Sequence, residues 1–524
     1  MAWLAISGGW LICLLGAYLV GFGINLPKLK RQSVIHTVSD RLLVSAGYGG
    51  FLLLLQRPLF AIGVVFAILT VLIVVNNAKV KALQEPLVFS DFGLFSQVFK
   101  YPRLYLPFLH IPSVVTLIIL GCLAVVSIWL LEPAISTYAN NGYLLNGGVA
   151  FFLLMVWSGF IFRGKHLVLQ ANIISDIQKH GFLTSLLLGY QCALVDVECE
   201  AYLRHVTACS YLNHSTTMVK SSLPHILTIQ SESFFDARRL SSLIRKNILT
   251  QFDQIVDESQ YAGQVEVAAW GANTMRSEFS FLTGIPNESL GLHQYNPYQY
   301  LPIAQLPSLL KKLKSLGYRC VALHPYPAGF FQRDRVFEAF GFDEFWDLAA
   351  FVDTPKSKSS PYTDDLVVAD KMLSILELHQ QQYPEQPLFL FTITMENHGP
   401  LHLESVTINE IQQFFEQLVC EKVDDLAVYL RHLQNADAMF AKLTRTLKQQ
   451  ESPTVVCCYG DHVPSMPDVY QAVNYQNANT DYFIWHSKQC NATSIYQNVN
   501  IAALSTLLLE VVFSQPLVKN DSHP

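Results

Sequence analysis

The stretch HILTIQSESFF, residues 225–235, decides how the second half of the chain folds. It starts as an apolar run of strand-forming residues, and the apolar character stops at Glu232. In open α/β folds, ligands bind beyond the carboxyl ends of the strands. Glu232 is therefore the first candidate site residue.

Two kinds of segment alternate after residue 224. The apolar, strand-like runs are 225–229, 265–269, 320–323, 388–394 and 454–459. The helix-like segments among them include 308–316, 365–379 and 424–447. This alternation predicts an α/β domain with a mainly parallel sheet and helices on both faces.

The amino-terminal part of the chain is far more apolar than the rest. With 51% hydrophobic residues and 15% charged residues, the 524-residue chain is too apolar for a wholly soluble protein. Apolar runs of spanning or near-spanning length occupy 3–24, 42–55, 59–75, 113–131 and 144–162. They predict about five transmembrane helices, with four or six as alternatives. Residues 3–24 have neither a basic n-region nor a cleavage site, which indicates an anchor rather than a signal peptide.

The charged loops give a topology that conflicts with the function inferred below. The positive residues between the first two runs and between the third and fourth are Lys28, Lys30, Arg31, Arg41, Lys79, Lys81, Lys100 and Arg103. The positive-inside rule places these loops in the cytoplasm, and for five spans it places the carboxyl-terminal domain there as well. Residues 85–99, rich in Phe, are interpreted as a membrane-surface or re-entrant stretch, or alternatively as an ordinary loop helix.

A second motif, WGANTMRSEFSFLTG at residues 270–284, presents a hydroxyl behind a turn of small residues. Thr274 in this motif is a candidate nucleophile, but a Thr alkoxide forms at neutral pH only with the help of a base or a metal. The alternative is structural, with Thr274 as a helix N-cap and Ser277 or Glu278 completing a capping box.

The last strand-like run supplies the missing partners. TVVCCYGDHVP, residues 454–464, ends in Asp461 and His462. Together with Glu232 and Thr274 they form an oxygen and imidazole set that suits a divalent metal, which would lower the pKa of the Thr hydroxyl. The ten cysteines form no CxxC pair and no Cys/His zinc spacing.

Further strand-end residues predict the substrate class. His398 follows the run 388–394, and His324 and Arg333 follow the run 320–323. Arg333 and His398 would neutralise the oxygens of a phosphate or sulfate ester. The net charge of −6 offers no basic patch for a nucleic acid, so no nucleic-acid partner is expected.

The residues from about 224 to 515 resemble the alkaline phosphatase and sulfatase superfamily, and specifically the lipoteichoic acid synthase branch of phosphoglycerol transferases. The matching motifs are Ser231-Glu232-Ser233-Phe234, Thr274 with Ser277-Glu278-Phe279, Phe331-Gln332-Arg333-Asp334, Phe340-Gly341-Phe342-Asp343, Asn397-His398 and Tyr459-Gly460-Asp461-His462. An SDF segment, Ser90-Asp91-Phe92, after the third predicted span also matches.

The resemblance implies a role for each candidate residue. Glu232, Thr274, Asp461 and His462 would be the metal ligands, with Thr274 as the nucleophile. Arg333, His398, His324 and Phe331 would bind the substrate, and His398 or a neighbour would act as general acid. The family uses phosphatidylglycerol as donor and typically manganese, with zinc or magnesium as alternatives. The acceptor would be an envelope glycan or glycolipid.

Two departures from the family pattern affect the pocket. Phe331 stands where the family has a Trp, and Pro325-Tyr326 stands where it often has Gly-Asp. A phosphoethanolamine transferase, a phosphodiesterase or sulfatase-type hydrolase, and a non-catalytic membrane sensor or scaffold therefore remain as alternatives.

The expected organisation follows from these observations. A transmembrane domain covers 1–165, a juxtamembrane linker with amphipathic helices covers 166–223, the sulfatase-like catalytic domain covers 224–515, and a tail covers 516–524. The resemblance implies a multi-pass protein of the inner or plasma membrane whose catalytic domain lies outside the cytoplasm, against the charge bias of the loops.

Overall fold

The computed structural model describes residues 8–13, 15–16, 23–24, 26, 34–104, 111–134, 149, 152, 169, 171–214, 223–354, 360–417, 423–489 and 494–513. The chain forms two compact units, Met1–Asp196 and Val197–Pro524. The division predicted above, with a linker over 166–223, remains a proposal.

The described part of the first unit is helical. Its helices are α1 (Val34–Leu55), α2 (Pro58–Leu83), α3 (Asp91–Lys100), α4 (Ile111–Leu131), α5 (Ile173–His180) and α6 (Phe182–Glu198), the last of which continues into the second unit. Only Gln56 and Arg57 separate α1 from α2, and Pro58 suits the first turn of α2 because it lacks an N–H there. The two helices share a core that includes Tyr48 and Val65.

Two described helices are long and apolar enough to cross a membrane, Val38–Leu55 within α1 and Pro58–Leu83. A further pair, Phe182–Asp196 and Glu200–Ala208, meets the same criterion only if it is counted as one broken span. The predicted runs 3–24 and 144–162 lie largely outside the described residues. The count of about five spans therefore stays a prediction.

The second unit is built around one sheet. Its strands are β1 (His225–Ser231), β2 (Tyr261–Glu266), β3 (Arg319–Leu323), β4 (Glu344–Trp346), β5 (Leu388–Ile393), β6 (Thr454–Gly460), β7 (Thr480–His486), β8 (Ile495–Tyr496) and β9 (Val499–Asn500). The order is β4-β3-β5-β1-β6-β7-β2-β8, and β9 also pairs with β2. All described pairs are parallel except those of β7 with β6 and β2.

Helices lie on both faces of the sheet. The described α-helices of the second unit are α7 (Glu200–Ala208), α8 (Thr250–Glu258), α9 (Thr274–Thr283), α10 (Pro297–Tyr300), α11 (Leu309–Ser315), α12 (Arg333–Phe340), α13 (Asp365–Gln382), α14 (Ile408–Phe414), α15 (Asp424–Gln449), α16 (Pro467–Ala472) and α17 (Ile501–Phe513). Leu227 and Ile229 of β1 share a core with α13 and α15, whereas α9 packs against α17. Because both faces are covered, every residue of β1 is buried, and the predicted α/β fold with a mainly parallel sheet is confirmed.

One predicted strand is misplaced. The run 265–269 was expected to be a strand, but β2 covers Tyr261–Glu266. Its pairing with β7 stops at Val265 opposite Thr480 because β7 begins at Thr480. Residues 267–269 therefore have no residues of β7 to pair with, and the strand ends before them.

Candidate active site

The predicted site residues follow neighbouring parallel strands. They are His324 after β3, His398 after β5, Glu232 after β1, and Asp461 with His462 after β6. β1 and β6 pair through Ser231 and Gly460, so Glu232 and Asp461 both emerge one residue beyond an aligned pair. Since the carboxyl ends of parallel strands share one edge, residues more than two hundred positions apart in sequence meet there.

Three of these side chains form a compact, buried group. Atoms of Glu232, Asp461 and His462 lie within 4.8 Å of one another. The His462 Nε2 atom is 3.4 Å from Glu232 Oε1 and 3.4 Å from Asp461 Oδ2. All three side chains are at most 2% exposed.

The hydrogen bonds around His462 show which ring nitrogen faces the carboxylates. Its Nδ1 atom is 3.0 Å from the carbonyl oxygen of Val463, which can only accept. In the neutral ring Nδ1 therefore carries the hydrogen, and Nε2 directs a lone pair toward the carboxylates. Among the described residues, His462 Nε2 and Asp461 Oδ2 have no hydrogen-bond partner.

Such an arrangement fits a divalent cation. Burial, followed by the charge of Asp461, raises the pKa of Glu232 to about 8. A cation bound between these groups would oppose that shift and satisfy the two unpartnered atoms. Two carboxylates and one imidazole are ligands that zinc and manganese accept in proteins.

The chain around the acidic pair is held by a tight turn. Ser233 adopts a left-handed conformation with φ of 51°. Its backbone N–H donates to Asp461 Oδ1 at 2.8 Å, and its hydroxyl donates to Glu232 Oε1 at 3.0 Å. The side-chain amide of Asn397 donates to the backbone oxygen of Glu232 at 2.8 Å. These contacts fix the direction of both carboxylates.

Thr274 is the first residue of α9, and it is almost fully buried. The helix N-cap is Asn273, which is left-handed with φ of 68°, so the interpretation of Thr274 as the N-cap is wrong. One helical turn later, the Ser277 hydroxyl donates to the backbone oxygen of Asp461 at 2.6 Å. Residues three apart share a helix face, so Thr274 lies on the same side of α9 as Ser277, which contacts the backbone of Asp461.

Arg333 is buried and already has an ionic partner. Its Nη2 atom is 2.9 Å from Glu278 Oε2, and its Nε atom is 3.1 Å from the same oxygen. Tyr298 donates its hydroxyl to the other oxygen of Glu278 at 2.6 Å. Glu278 therefore balances the charge of Arg333, while the remaining N–H groups of the guanidinium can still bind an anion.

His324 acts as an acceptor for this guanidinium. Its Nδ1 atom is 3.2 Å from the oxygen of Ile393, and its Nε2 atom is 3.2 Å from Arg333 Nη1. Burial and the charge of Arg333 hold the pKa of His324 well below its usual value. The ring is therefore neutral, donates from Nδ1 and accepts from Arg333 at Nε2.

The remaining predicted residues lie beside these groups. His398 is partly exposed, and its Nδ1 atom is 2.6 Å from the oxygen of Gly399 and 3.3 Å from the hydroxyl of Tyr362. The partial burial of His398 lowers its pKa, although the hydrogen bond to the Gly399 oxygen and the charge of Asp461 oppose this. The ring of Phe331 packs against the guanidinium of Arg333, with 5.3 Å from ring centre to carbon.

Residues 224–512 match the profile of the family described as Sulfatase, which is more than half of the chain. The chain belongs to the sulfatase family. The sulfatase-family domain thus carries the whole group of strand-end residues described above.

Two relatives of this sulfatase-family chain have names that describe polymer synthesis. The capsular polysaccharide biosynthesis protein RkpI of Rhizobium meliloti is 27% identical over 485 residues, covering 88% of this chain and 83% of the relative. Lipoteichoic acid synthase of Staphylococcus aureus is 27% identical over 197 residues, covering 36% of this chain and 27% of the relative. The predicted resemblance to that synthase is confirmed.

One solved structure matches nearly the whole chain. The integral membrane lipooligosaccharide phosphoethanolamine transferase A of Neisseria meningitidis superimposes with a TM-score of 0.53 and 12% identity, covering 98% of this chain and 94% of that one. At this identity the match shows the fold alone. It supports an amino-terminal helical region followed by a sulfatase-like α/β domain.

Several polar residues of the sulfatase-family site were not predicted from the sequence to act in the site. Glu278, Ser233 and Ser277 stand inside the quoted motifs, but their partners come from distant segments. Tyr298 and Tyr429 were missed altogether, although Tyr429 donates its hydroxyl to the backbone oxygen of Ser233 at 2.6 Å. The one signal in the sequence was that the hydroxyl of Tyr429 falls among the apolar residues of α15, where a buried hydroxyl needs a hydrogen-bond partner.

Proposed function

We propose that this protein transfers phosphoglycerol from phosphatidylglycerol to a hydroxyl of an envelope glycan or glycolipid. The observation that supports this most directly is the buried group of Glu232, Asp461 and His462, tied to the first turn of α9, where Thr274 lies. Manganese is the proposed metal, and Thr274 its proposed fourth ligand. The proposal places the catalytic domain outside the cytoplasm, where envelope acceptors are.

The first half-reaction moves the headgroup onto the protein. The Thr274 oxygen attacks the phosphorus of the lipid, the bond to the diacylglycerol oxygen breaks, and phosphoglycerol becomes esterified to Thr274. The bound metal would supply charge that favours the deprotonated hydroxyl and balances the phosphate. The proton lost by Thr274 leaves with a base or water, and diacylglycerol departs after taking up a proton.

The second half-reaction regenerates Thr274. A glycan hydroxyl attacks the phosphorus, the bond to the Thr274 oxygen breaks, and the product is a phosphoglycerol diester of the glycan. His398, which the lowered pKa keeps neutral, would accept the proton of the attacking hydroxyl. The same low pKa disfavours the predicted general-acid role of His398 before substrate binds.

Two features of the chain would bind the phosphate. The amino terminus of α9 presents backbone N–H groups directly behind Thr274, where a helix favours negative charge. Arg333 holds its guanidinium in a fixed orientation because Glu278 and His324 bind it from two sides. Donors that are fixed in advance need little reorganisation when charge develops in the transition state.

The relatives support the acceptor class. RkpI is named for capsular polysaccharide biosynthesis, and another relative from the same organism is named as a putative cyclic β-1,2-glucan modification protein. The second is 28% identical over 257 residues. Glycans are therefore the acceptors that we propose for this chain.

The proposal is tested by mass spectrometry of the purified full chain after incubation with phosphatidylglycerol and manganese. We expect an adduct of glycerophosphate mass on the peptide that contains Thr274, its loss in Thr274→Ala, and its loss after chelation with return on adding manganese. Thr274→Ser is the matched control, because it keeps the hydroxyl and should keep the adduct.

Other outcomes select the alternatives. An adduct of phosphoethanolamine mass from phosphatidylethanolamine, without one from phosphatidylglycerol, would indicate the phosphoethanolamine transferase. Rapid release of the headgroup into water without a glycan would indicate the hydrolase. Full biological activity of Thr274→Ala would indicate a sensor or scaffold.

A further inference from the structure

The short helix α3 in the first unit exposes an aromatic face. Phe92, Phe95 and Phe99 are 53%, 60% and 72% exposed, whereas Gln97 is only 5% exposed. Positions 92, 95 and 99 follow the i, i+3, i+7 spacing that places side chains on one side of a helix. The helix therefore presents phenylalanines outward and keeps a polar residue inward.

This pattern is the reverse of a helix on a water-soluble surface. The rings of Phe95 and Phe99 pack edge to face at 5.3 Å, and the exposed Phe92 lies about one turn before Phe95 on the same side of the helix. Exposed apolar patches of this kind mark contacts with proteins or membranes rather than with water.

The helix is fixed in place by ionic contacts to the end of α2. Lys79 of α2 pairs with Asp91 at 2.7 Å and with Glu85 at 2.7 Å. The backbone N–H of Val88 donates to the same Asp91 oxygen at 2.7 Å. The connecting residues are also held, since Val88 and Phe89 are buried. The aromatic face is thus held in a defined orientation by the contacts of Asp91 at the start of α3.

We infer that α3 lies in the interface of the bilayer that α2 crosses, with Phe92, Phe95 and Phe99 among the lipids. The helix has 10 residues and is about 15 Å long, half the hydrocarbon thickness, so it is too short to span. It begins eight residues after the end of the candidate span α2.

Positively charged residues at the end of α2 and at the end of α3 favour a lipid surface over a protein partner. Lys81 lies in the last turn of α2, and the exposed Lys100 ends α3. Basic side chains beside an apolar face are the pattern of helices that bind anionic headgroups. The segment Ser90-Asp91-Phe92 thereby has a physical role, in which Asp91 holds the helix to α2 and Phe92 enters the lipid.

Photocrosslinking of the full chain in vesicles of phosphatidylglycerol and phosphatidylethanolamine tests this inference. Phe95→p-benzoylphenylalanine is expected to yield phospholipid adducts, detected as a mass increase of the chain after irradiation. Val71→p-benzoylphenylalanine, in the exposed part of α2, gives the yield of a position within a span. Tyr496→p-benzoylphenylalanine is the matched control, because Tyr496 is aromatic and 66% exposed in the second unit.

The comparison of the three yields decides the outcome. We expect the Phe95 variant to give a lipid yield within about threefold of the Val71 variant and roughly tenfold above the Tyr496 variant, as a side chain at the acyl boundary would. A yield at the level of the Tyr496 variant would overturn the inference. So would crosslinks from position 95 that are mainly to protein, which would show that another chain covers the aromatic face.

Discussion

At the scale of single residues, the pairing of Glu278 with Arg333 has the clearest energetic consequence. Both side chains are at most 1% exposed, and Tyr298 donates a hydrogen bond to Glu278 while His324 accepts one from Arg333. A buried ion pair is not in itself strongly stabilising, but removal of one partner leaves an unpaired charge in a poorly solvated place. Glu278 is thus needed for the fold around the site as well as for the orientation of Arg333.

Glu278→Gln is therefore expected to lower the free energy of unfolding by about 3 kcal/mol, because the shape is kept while Arg333 loses its counter-charge. Thermal unfolding of the detergent-solubilised chain measures the change. Tyr298→Phe is the control, since it removes one hydrogen bond to Glu278 and should cost only about 1–2 kcal/mol. Equal losses for the two variants would show that charge balance is not what holds Arg333.

At the scale of elements, the junction between β1 and β6 depends on a residue without a side chain. A Cβ atom on Gly460 would lie 1.8 Å from the backbone oxygen of Phe234 and 3.0 Å from the Cβ of Thr480. The turn after β1 therefore crosses directly over the end of β6. This close approach brings Glu232 beside Asp461.

Gly460→Ala should accordingly force the turn away from β6. We expect a loss of more than about 3 kcal/mol in unfolding free energy, because backbone atoms cannot yield as side chains do, together with loss of the proposed manganese binding in equilibrium dialysis. Gly317→Ala is the comparison, since its Cβ would meet open space and only its φ of +92° opposes the change. That variant should cost about 1–2 kcal/mol and leave manganese binding intact. Normal metal binding by Gly460→Ala would refute the steric argument.

At the scale of the whole molecule, buried histidines make the second unit sensitive to acid. Burial lowers the pKa of His225, at the start of β1, to about 4, and that of His293 to about 4. The unfolded chain binds these protons near pH 6.5, before the folded chain does. The stabilising contribution of each neutral ring is therefore complete above pH 6.5 and is lost as the pH falls toward 4.

Unfolding free energy should thus fall by roughly 2 kcal/mol per buried histidine between pH 7 and pH 5. His225→Gln tests this, because glutamine cannot gain the proton but can still accept the hydrogen bond that the Leu388 N–H gives to His225. The difference in stability between wild type and His225→Gln should shrink with acidification. A difference that stays constant from pH 7 to pH 5 would contradict the prediction.

Sequence patterns predicted the parallel core of this molecule but not its antiparallel part. Runs such as 454–459 are apolar because both faces of a parallel strand are covered, so their ends and the polar residues beyond them are visible in sequence. β7 was not predicted, although its residues 482–485 are apolar, and Asp481 near its start is buried against Arg239. That contact joins residues far apart in sequence, and no local pattern reveals it.

The same distinction applies to the site. Glu232, Asp461 and His462 could be predicted because each lies within two residues of the end of an apolar, buried strand, and β1 and β6 are neighbours in the sheet. The partner of Arg333 could not, because Glu278 lies on a different helix, 55 residues away in sequence. Side-chain pairing between helices depends on how the two elements pack, which the sequence specifies only through the whole fold.

The register of β1 between β5 and β6 has a consequence for synthesis on the ribosome. β1 is a central strand of the finished sheet, but β6 emerges more than two hundred residues later. At ordinary translation rates the side of β1 that pairs with β6 stays unpaired for roughly 10 to 45 s. During that interval this edge is open to pairing with other nascent chains, so we expect the growing domain to stay unfolded or protected until Gly460 has left the ribosome.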